Sequence, residues 1–203
     1  MAIPCPRCGR EYDVTLFGFG RTLWCTCGSR VGIAPRVRSQ AAAAEKRFIA
    51  DAMLGRLARW LRILGFDCAY DNEIDDAALV RRAVLEDRIL LSRDRSLPED
   101  WWVPGIHRVG SEGLVEQLRE IVRSFDLAGS VRLFSRCSAC NHPLQAARKA
   151  DVSERVPPHA FAEHDRFFEC PSCRRVYWAG SHTERIRRVV DDVLAGISAS
   201  APA

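Results

Sequence analysis

RFIADAMLGRLARWLRILGFD, residues 47–67, changes its hydrophobic period partway along. Arg47–Ala50 (RFIA) is a continuous apolar run of strand length, and an acid, Asp51, follows it directly. From Met53 onward the apolar residues come at helical spacing, with Met53, Leu54, Leu57, Ala58, Leu61 and Leu64 on one face. Gly65 stops that helix, as a glycine just past the last periodic residue does. Asp67–Tyr70 then reads as a second strand. Strand, helix and strand in this order predict a βαβ unit, so the sheet is expected to be mainly parallel with right-handed crossovers.

The pattern continues downstream. Asp75 or Asp76 caps a predicted helix whose buried face is Leu79, Val80, Ala83 and Val84. Arg88–Ser92 (RILLS) suits the middle of a parallel sheet, where both faces are covered. Residues 98–104 read as a loop, Ile106–Val109 as a strand and Leu114–Phe125 as an amphipathic helix. The predicted class is therefore α/β, with helices flanking a mainly parallel sheet over residues 47–130. Small β-rich modules stand at both ends. Residues 1–34 form one, with β-like runs such as Glu11–Phe17, and 35–46 read as a linker. Residues 131–180 form the other, opened by a strand-like Val131–Phe134. Residues 181–197 carry a capping box, Ser181 with Glu184, and an apolar face of Ile186, Val189, Val190, Val193, Leu194 and Ile197. That face is expected to pack on the central domain or on a second chain. Residues 198–203 are expected to be disordered.

With 47% hydrophobic and 28% charged residues, the chain has the mixture of a globular protein rather than a disordered one. No apolar run reaches the ~18–20 residues that span a bilayer. The opening MAIPCPRCGR also lacks an apolar signal core. The expectation is a cytoplasmic chain with no membrane partner. Both cysteine-bearing ends are net basic and the centre is net acidic.

In a reducing compartment, cysteine pairs at two ends of a chain indicate metal before disulfides. Cys137-x2-Cys140 and Cys170-x2-Cys173 present two tight turns whose four thiolates complete a tetrahedral shell, the geometry of structural Zn²⁺. The 29 residues between those pairs read as a long loop. Cys5-x2-Cys8 and Cys25-x-Cys27 form a second set, one residue shorter in its second turn. Two structural zinc ions per chain are expected. Cys68 reads as a buried small hydrophobe, and His142, His159, His164 and His182 as spare ligands.

Phosphodiester hydrolysis needs an activated water and charge stabilisation at phosphorus, which divalent ions on a carboxylate cluster supply. Asp51 follows one predicted strand, Asp94 follows another, and Asp76 opens the helix between them beside Asp75. A parallel sheet brings such positions to its carboxyl edge, where open α/β folds bind ligands. Each acid also has a plainer reading, because Asp is a favoured N-cap and Asp94 suits a turn. Arg56, Arg59 and Arg62 recur every third residue, and Arg93 and Arg95 flank Asp94, so these five are candidate phosphate contacts. Trp60 is expected in the core, with base stacking as its alternative, and Trp101 and Trp102 as loop packing, although an exposed pair could stack bases. No phosphate-binding loop, nucleophile elbow or dinucleotide fingerprint is present.

The blocks FIADAMLGRLARWLRILGFD, DDAALVRRAVLEDRILLSRDRSL and CSAC…CPSC resemble the Mut-seven C-terminal RNase family, a PIN-like fold ending in a zinc ribbon. The resemblance covers about residues 47–188. It implies a Mg²⁺- or Mn²⁺-dependent endoribonuclease acting on RNA, expected to be single-stranded. By position, Asp51 matches the first PIN acid, Asp76 the acid opening the second helix and Asp94 the acid of the T-x-D motif, with Ser92 where that motif often has Thr. A fourth acid is common in PIN nucleases, and Asp75 and Asp71 are candidates. The N-terminal ribbon is not part of the usual pattern. The competing expectation is a non-catalytic RNA- or ribosome-binding adaptor on a relict PIN-like scaffold, and a ribosomal or dimeric partner is open.

Overall fold

A computed structural model describes residues 1–33, 45–103 and 105–198. Most of the expected linker, the last five residues of the expected disordered tail and the Ser181 and His182 side chains lie outside the described residues. In chain order the elements are β1 (Ala2–Pro4), β2 (Glu11–Asp13), β3 (Thr22–Trp24), β4 (Arg30–Gly32), β5 (Arg47–Ala50), α1 (Gly55–Ile63), β6 (Asp67–Tyr70), α2 (Asp76–Leu85) and β7 (Ile89–Ser92). They continue with α3 (Leu97–Asp100), β8 (Ile106–Arg108), α4 (Leu114–Ser124), β9 (Gln145–Ala147), α5 (Lys149–Val152), α6 (Pro158–Glu163), β10 (Phe167–Glu169), β11 (Val176–Trp178) and α7 (Ser181–Ser198). The chain gathers into two units: Met1–Gly55 with Ala69–Val109, and Arg56–Cys68 with Gly110–Ala203.

The first unit is built on the four-stranded sheet β6-β5-β7-β8, whose β5–β7 and β7–β8 pairs are parallel. Phe48, Ile49, Ala50, Leu90 and Leu91 are all fully buried, which is why RFIA and RILLS are continuous rather than alternating. Leu79, Val80 and Ala83 of α2 pack with Ile49, Leu90, Leu97 and Val103 in one core. Each large side chain there contributes roughly 1.5–3 kcal/mol. A side chain at Gly55 would push Tyr70 aside, because a Cβ would lie 2.6 Å from its hydroxyl oxygen. That hydroxyl donates to the Ala52 carbonyl at 2.9 Å. The expected loop 98–104 instead begins inside a helical turn, α3, with Pro98 in its first positions.

The N-terminal ribbon pairs β1 with β2 and β3 with β4, both antiparallel. The β-like run expected to reach Phe17 stops at Asp13, whose carboxylate accepts from the Thr15 amide and hydroxyl and turns the chain into a 3-10 segment, Val14–Gly20. Trp102 donates its amide to the Gly20 carbonyl at 2.7 Å. Thr22 donates to the Glu99 carbonyl and Arg30 to the Pro98 carbonyl. The Arg30 guanidinium also lies 5.3 Å from the Trp102 ring centroid. Trp101 and Trp102 are therefore the ribbon's seat, rather than packing within their own loop.

In the second unit Leu57, Ala58 and Leu61 of α1 are fully buried, Arg56 and Arg59 are exposed, and Trp60 is half-buried. Gly65 ends the helix at φ 99°, and a Cβ there would clash with the Arg132 carbonyl oxygen. The strand expected at Val131–Phe134 does not form. Arg132 and Phe134 give their amides to the Leu64 and Ile63 carbonyls, and Phe134 takes φ 57°, which an extended strand cannot accommodate. α4 packs on α7, with Leu118, Ile121 and Val122 buried on one helix and Val190 and Val193 on the other. The apolar face of α7 thus finds its partner within this chain.

The C-terminal ribbon carries a three-stranded antiparallel sheet, β11-β10-β9. The stretch between its cysteine pairs, expected as a loop, is folded. β9, α5 and α6 close a small core of Val152, Val156, Ala160 and Phe167, with Phe161 and Trp178 packed against it. Among the described residues, no helix is long and apolar enough to cross a membrane.

Candidate metal centres and acidic site

All eight cysteines expected as ligands fall into two groups of four, within each of which the sulfurs lie within 4.8 Å of one another. The short Sγ–Sγ distances are 3.6 Å for Cys5–Cys27, 3.5 Å for Cys8–Cys25, 3.6 Å for Cys137–Cys173 and 3.3 Å for Cys140–Cys170. A disulfide would need ~2.05 Å, whereas a tetrahedron with Zn–S of ~2.3 Å has edges of about 3.8 Å. Each group can hold one zinc ion. Among the described residues no histidine joins either group.

One backbone device makes all four turns. In the C-x2-C turns the first cysteine's carbonyl accepts the amide of the residue after the second cysteine: Gly9 on Cys5, Asn141 on Cys137 and Arg174 on Cys170. The first cysteine's own amide reaches the next carbonyl, of Arg10, His142 and Arg175 respectively. In Cys25-x-Cys27 the same two bonds come one residue sooner, from Gly28 and to Ser29. The residue after the second cysteine always has positive φ, between 61° and 78°, so the shorter spacing conserves the turn.

Each group also has a tyrosine hydroxyl on one sulfur. Tyr177 lies 3.0 Å from Cys137 Sγ. Burial pushes the Cys137 thiol up, but the bonds from Tyr177 and the Cys140 and Ala139 amides outweigh it and hold it at about 6. The Cys27 amide and the Tyr12 hydroxyl likewise bring Cys25 down to about 6. Such outer donors fix a thiolate's orientation and favour its ligand form.

Arg62 departs from the expected phosphate-binding stripe. It is 5% exposed, and its guanidinium donates to the Cys68 carbonyl at 2.8 Å and the Ala139 carbonyl at 2.7 Å. Facing the core side of its helix, it clasps the first turn of the C-terminal ribbon, and burial lowers its proton affinity. Asn141 completes the clasp, accepting from the Cys68 amide at 3.0 Å and donating to Asp67 at 2.7 Å. Cys68 is buried, as expected, and serves through its backbone. Arg56, Arg59, Arg93 and Arg95 are exposed.

The acids stand at the carboxyl edge of the sheet. Asp51 is 7% exposed, and although it precedes a helical turn its side chain makes no cap bond. Its Oδ2 instead accepts the Ser92 hydroxyl at 2.5 Å, across the β5–β7 pair. The Asp94 amide in turn donates to Ser92 Oγ at 3.0 Å. Ser92, 1% exposed, therefore joins two of the expected catalytic positions. Asp94 also accepts from the Ser96 amide and hydroxyl, a turn arrangement, and Asp75 caps α2 through the Ala78 amide at 2.7 Å. Asp71 is spent on the Glu73 amide. The Asp76 carboxyl is pushed up, first by partial desolvation and then by Asp51, Asp94, Asp75 and Asp100. Asp100 is the acid that sequence reasoning missed, since it ends α3 within the stretch read as a loop. Among the described residues no three of these carboxylates come within 4.8 Å of one another.

The Mut7-C RNAse domain profile matches residues 46–190. Comparison with curated proteins and with solved structures found no match. The matched region contains the acidic edge, the Ser92 bridge, the Arg62 clasp and the C-terminal ribbon, and leaves the N-terminal ribbon outside. On that match, over most of its length, the chain belongs to the Mut7-C RNAse domain family.

Proposed function

We propose that this protein is a divalent-metal-dependent endoribonuclease that cleaves single-stranded RNA at Asp51, Asp76 and Asp94, with structural zinc in both ribbons. The observation that carries the reading is the state of Asp51. A carboxylate this buried, at a helical turn it does not cap, is held from the neighbouring strand by Ser92. A simple N-cap would face the helix amides.

The nuclease chemistry is assigned to residues 47–130. The donor set is all hard oxygen, which suits Mg²⁺ or Mn²⁺. With the carboxylates this far apart, one or two of them together with water and phosphate oxygens would hold each ion, the usual Mg²⁺ arrangement. When bound, such an ion polarises the phosphate and acidifies a water. Ser92 fixes the Asp51 rotamer and ties it to the Asp94 turn. Asp76 sits where negative charge is crowded, the environment that favours a cation. Exposed Arg56, Arg59, Arg93 and Arg95 offer forked donors for phosphates.

The adaptor reading draws on Asp75 and Asp94, both engaged in cap or turn bonds. Cleavage of labelled single-stranded RNA with Mn²⁺ separates the two. Asp51→Asn and Asp94→Asn should each lower the rate roughly a hundredfold or more, with zinc content and melting preserved. Glu99→Gln, an exposed acid one residue from Asp100, should leave the rate unchanged. Wild-type rates in both Asp variants would replace the nuclease by the adaptor.

A further inference from the structure

The N-terminal ribbon lies outside the family match, yet it builds a groove that reaches the acids. The groove, about 640 Å³, is lined by Phe19, Arg21 and Leu16 from the ribbon and by Arg81, Asp75 and Trp101 from the sheet unit. That volume is in the range of ligand sites. Its wall includes Asp75, Ala77 and Ala78, the residues on both sides of Asp76.

Two ring–cation pairs stand in it. The Arg81 guanidinium lies 4.9 Å from the Phe19 ring centroid, and that of Arg21 lies 5.8 Å from the Trp101 ring. Both arginines are exposed, and among the described residues neither has a carboxylate partner. Phe19 is 44% exposed at φ 54°, so the fold spends a disfavoured backbone conformation on a large ring left in water. Neither ribbon packing nor the zinc turns call for that ring, since the ribbon core is Cys5, Phe17, Cys25 and Val31.

We propose that this groove binds single-stranded RNA, with an unpaired base stacking on Phe19 and phosphates held by Arg21 and Arg81, and feeds the strand to the acidic edge. Ring faces beside free guanidiniums match a strand whose bases are unstacked. A duplex hides those faces. Asp75, in the same wall, caps α2 through the Ala78 amide, and the phosphates are assigned to the two arginines. The assignment rests on the ribonuclease reading for its substrate class, and it gives the N-terminal ribbon a positioning role in that reaction.

The test uses the full zinc-loaded chain and a labelled oligouridylate. Without added divalent ion, Phe19→Leu and Arg81→Gln should each weaken binding roughly tenfold, and Phe19→Tyr, which keeps the ring, should restore it. Arg81→Gln should also lower the salt slope by about one, while Phe19→Leu leaves the slope alone. With Mn²⁺, both variants should raise KM by the same factor and change kcat far less. Zinc content and melting curves certify the fold. If wild type binds and both variants bind equally well, the groove assignment falls and the nuclease reading stands. If wild type never cleaves but the variants lose binding as described, the groove stands and the nuclease reading falls. A wild type that does not bind the oligouridylate, or a Phe19→Leu variant that only dissolves a dimer, would overturn the assignment.

Discussion

The two ribbons use the same metal turn and support it in opposite ways. The N-terminal ribbon is minimal. Its core is four residues, two of them ligands, and backbone hydrogen bonds and a stacked arginine seat it on the Trp101–Trp102 segment. The C-terminal ribbon has a core of its own from the folded stretch between its cysteine pairs. A buried arginine and an asparagine clasp its first turn. A small module must take its stability from metal, from a core or from a neighbour. The first ribbon depends on metal and neighbour, since half of its core is ligand, and the second adds a core that contains no ligand.

The largest effect should come from removing a ligand. Structural zinc supplies roughly 10–16 kcal/mol in finger peptides, far more than Phe17 and Val31, the two core residues that are not ligands, can replace. Elemental analysis should give two zinc ions per chain, and one in either Cys25→Ser or Cys170→Ser. Hydrogen exchange should then show residues 2–32 unprotected in Cys25→Ser, while residues 152–167 keep partial protection in Cys170→Ser. Equal loss of protection in the two variants would erase the comparison.

A smaller effect is expected from Arg62→Met, which fits the helix but leaves the Cys68 and Ala139 carbonyls without their donor. Hydrogen bonds from a charged donor contribute about 1.5–3 kcal/mol each. The variant should release zinc to a chelator faster from the C-terminal site alone, read by following the two sites separately in a Cys25→Ser background and in wild type. If instead it weakens RNA binding with zinc retention unchanged, Arg62 belongs to the phosphate stripe after all.

The smallest effects compare equivalent turn positions. Asn141→Gly keeps the left-handed turn and loses the bonds to Cys68 and Asp67, so it should lower stability by about 1–2 kcal/mol. Gly9→Asn places the asparagine at the matching N-terminal position, φ 73°, with nothing within 4 Å of a Cβ. Asn tolerates that conformation, so the change should stay within about 1 kcal/mol in thermal melts. A Gly9→Asn penalty larger than that of Asn141→Gly would show that the first turn is the more constrained one.

The strands RFIA and RILLS, the helix after Met53 and the eight cysteine ligands were legible in the sequence because each is a local pattern. A run buried on both faces must be continuously apolar, a helix face repeats with its turn, and a metal turn needs its thiols two or three residues apart. The C-x-C departure was legible as a spacing, but its equivalence to the other turns needed the backbone bonds. The strand expected at Val131–Phe134 failed because apolar residues there serve a turn, and local composition does not distinguish the two. The insert read as a loop folds because its scattered apolar residues meet Phe167, on the insert's own last strand, and Trp178 from the strand beyond the second cysteine pair.

By itself, then, the sequence determined the strands RFIA and RILLS, the helix after Met53 and the metal turns, since those depend on neighbours a few residues away. Only the tertiary structure decided what each polar residue at the site is for. Asp51 and Ser92 are separated by 41 residues and meet because β5 and β7 pair in parallel. Arg62 left the phosphate stripe because the fold placed the Ala139 carbonyl, 77 residues away, over its helix. Asp100 joined the acids because α3 ends beside them. A carboxylate or guanidinium takes its role from the one or two atoms it reaches, and which distant atoms those are is settled only when the chain closes on itself.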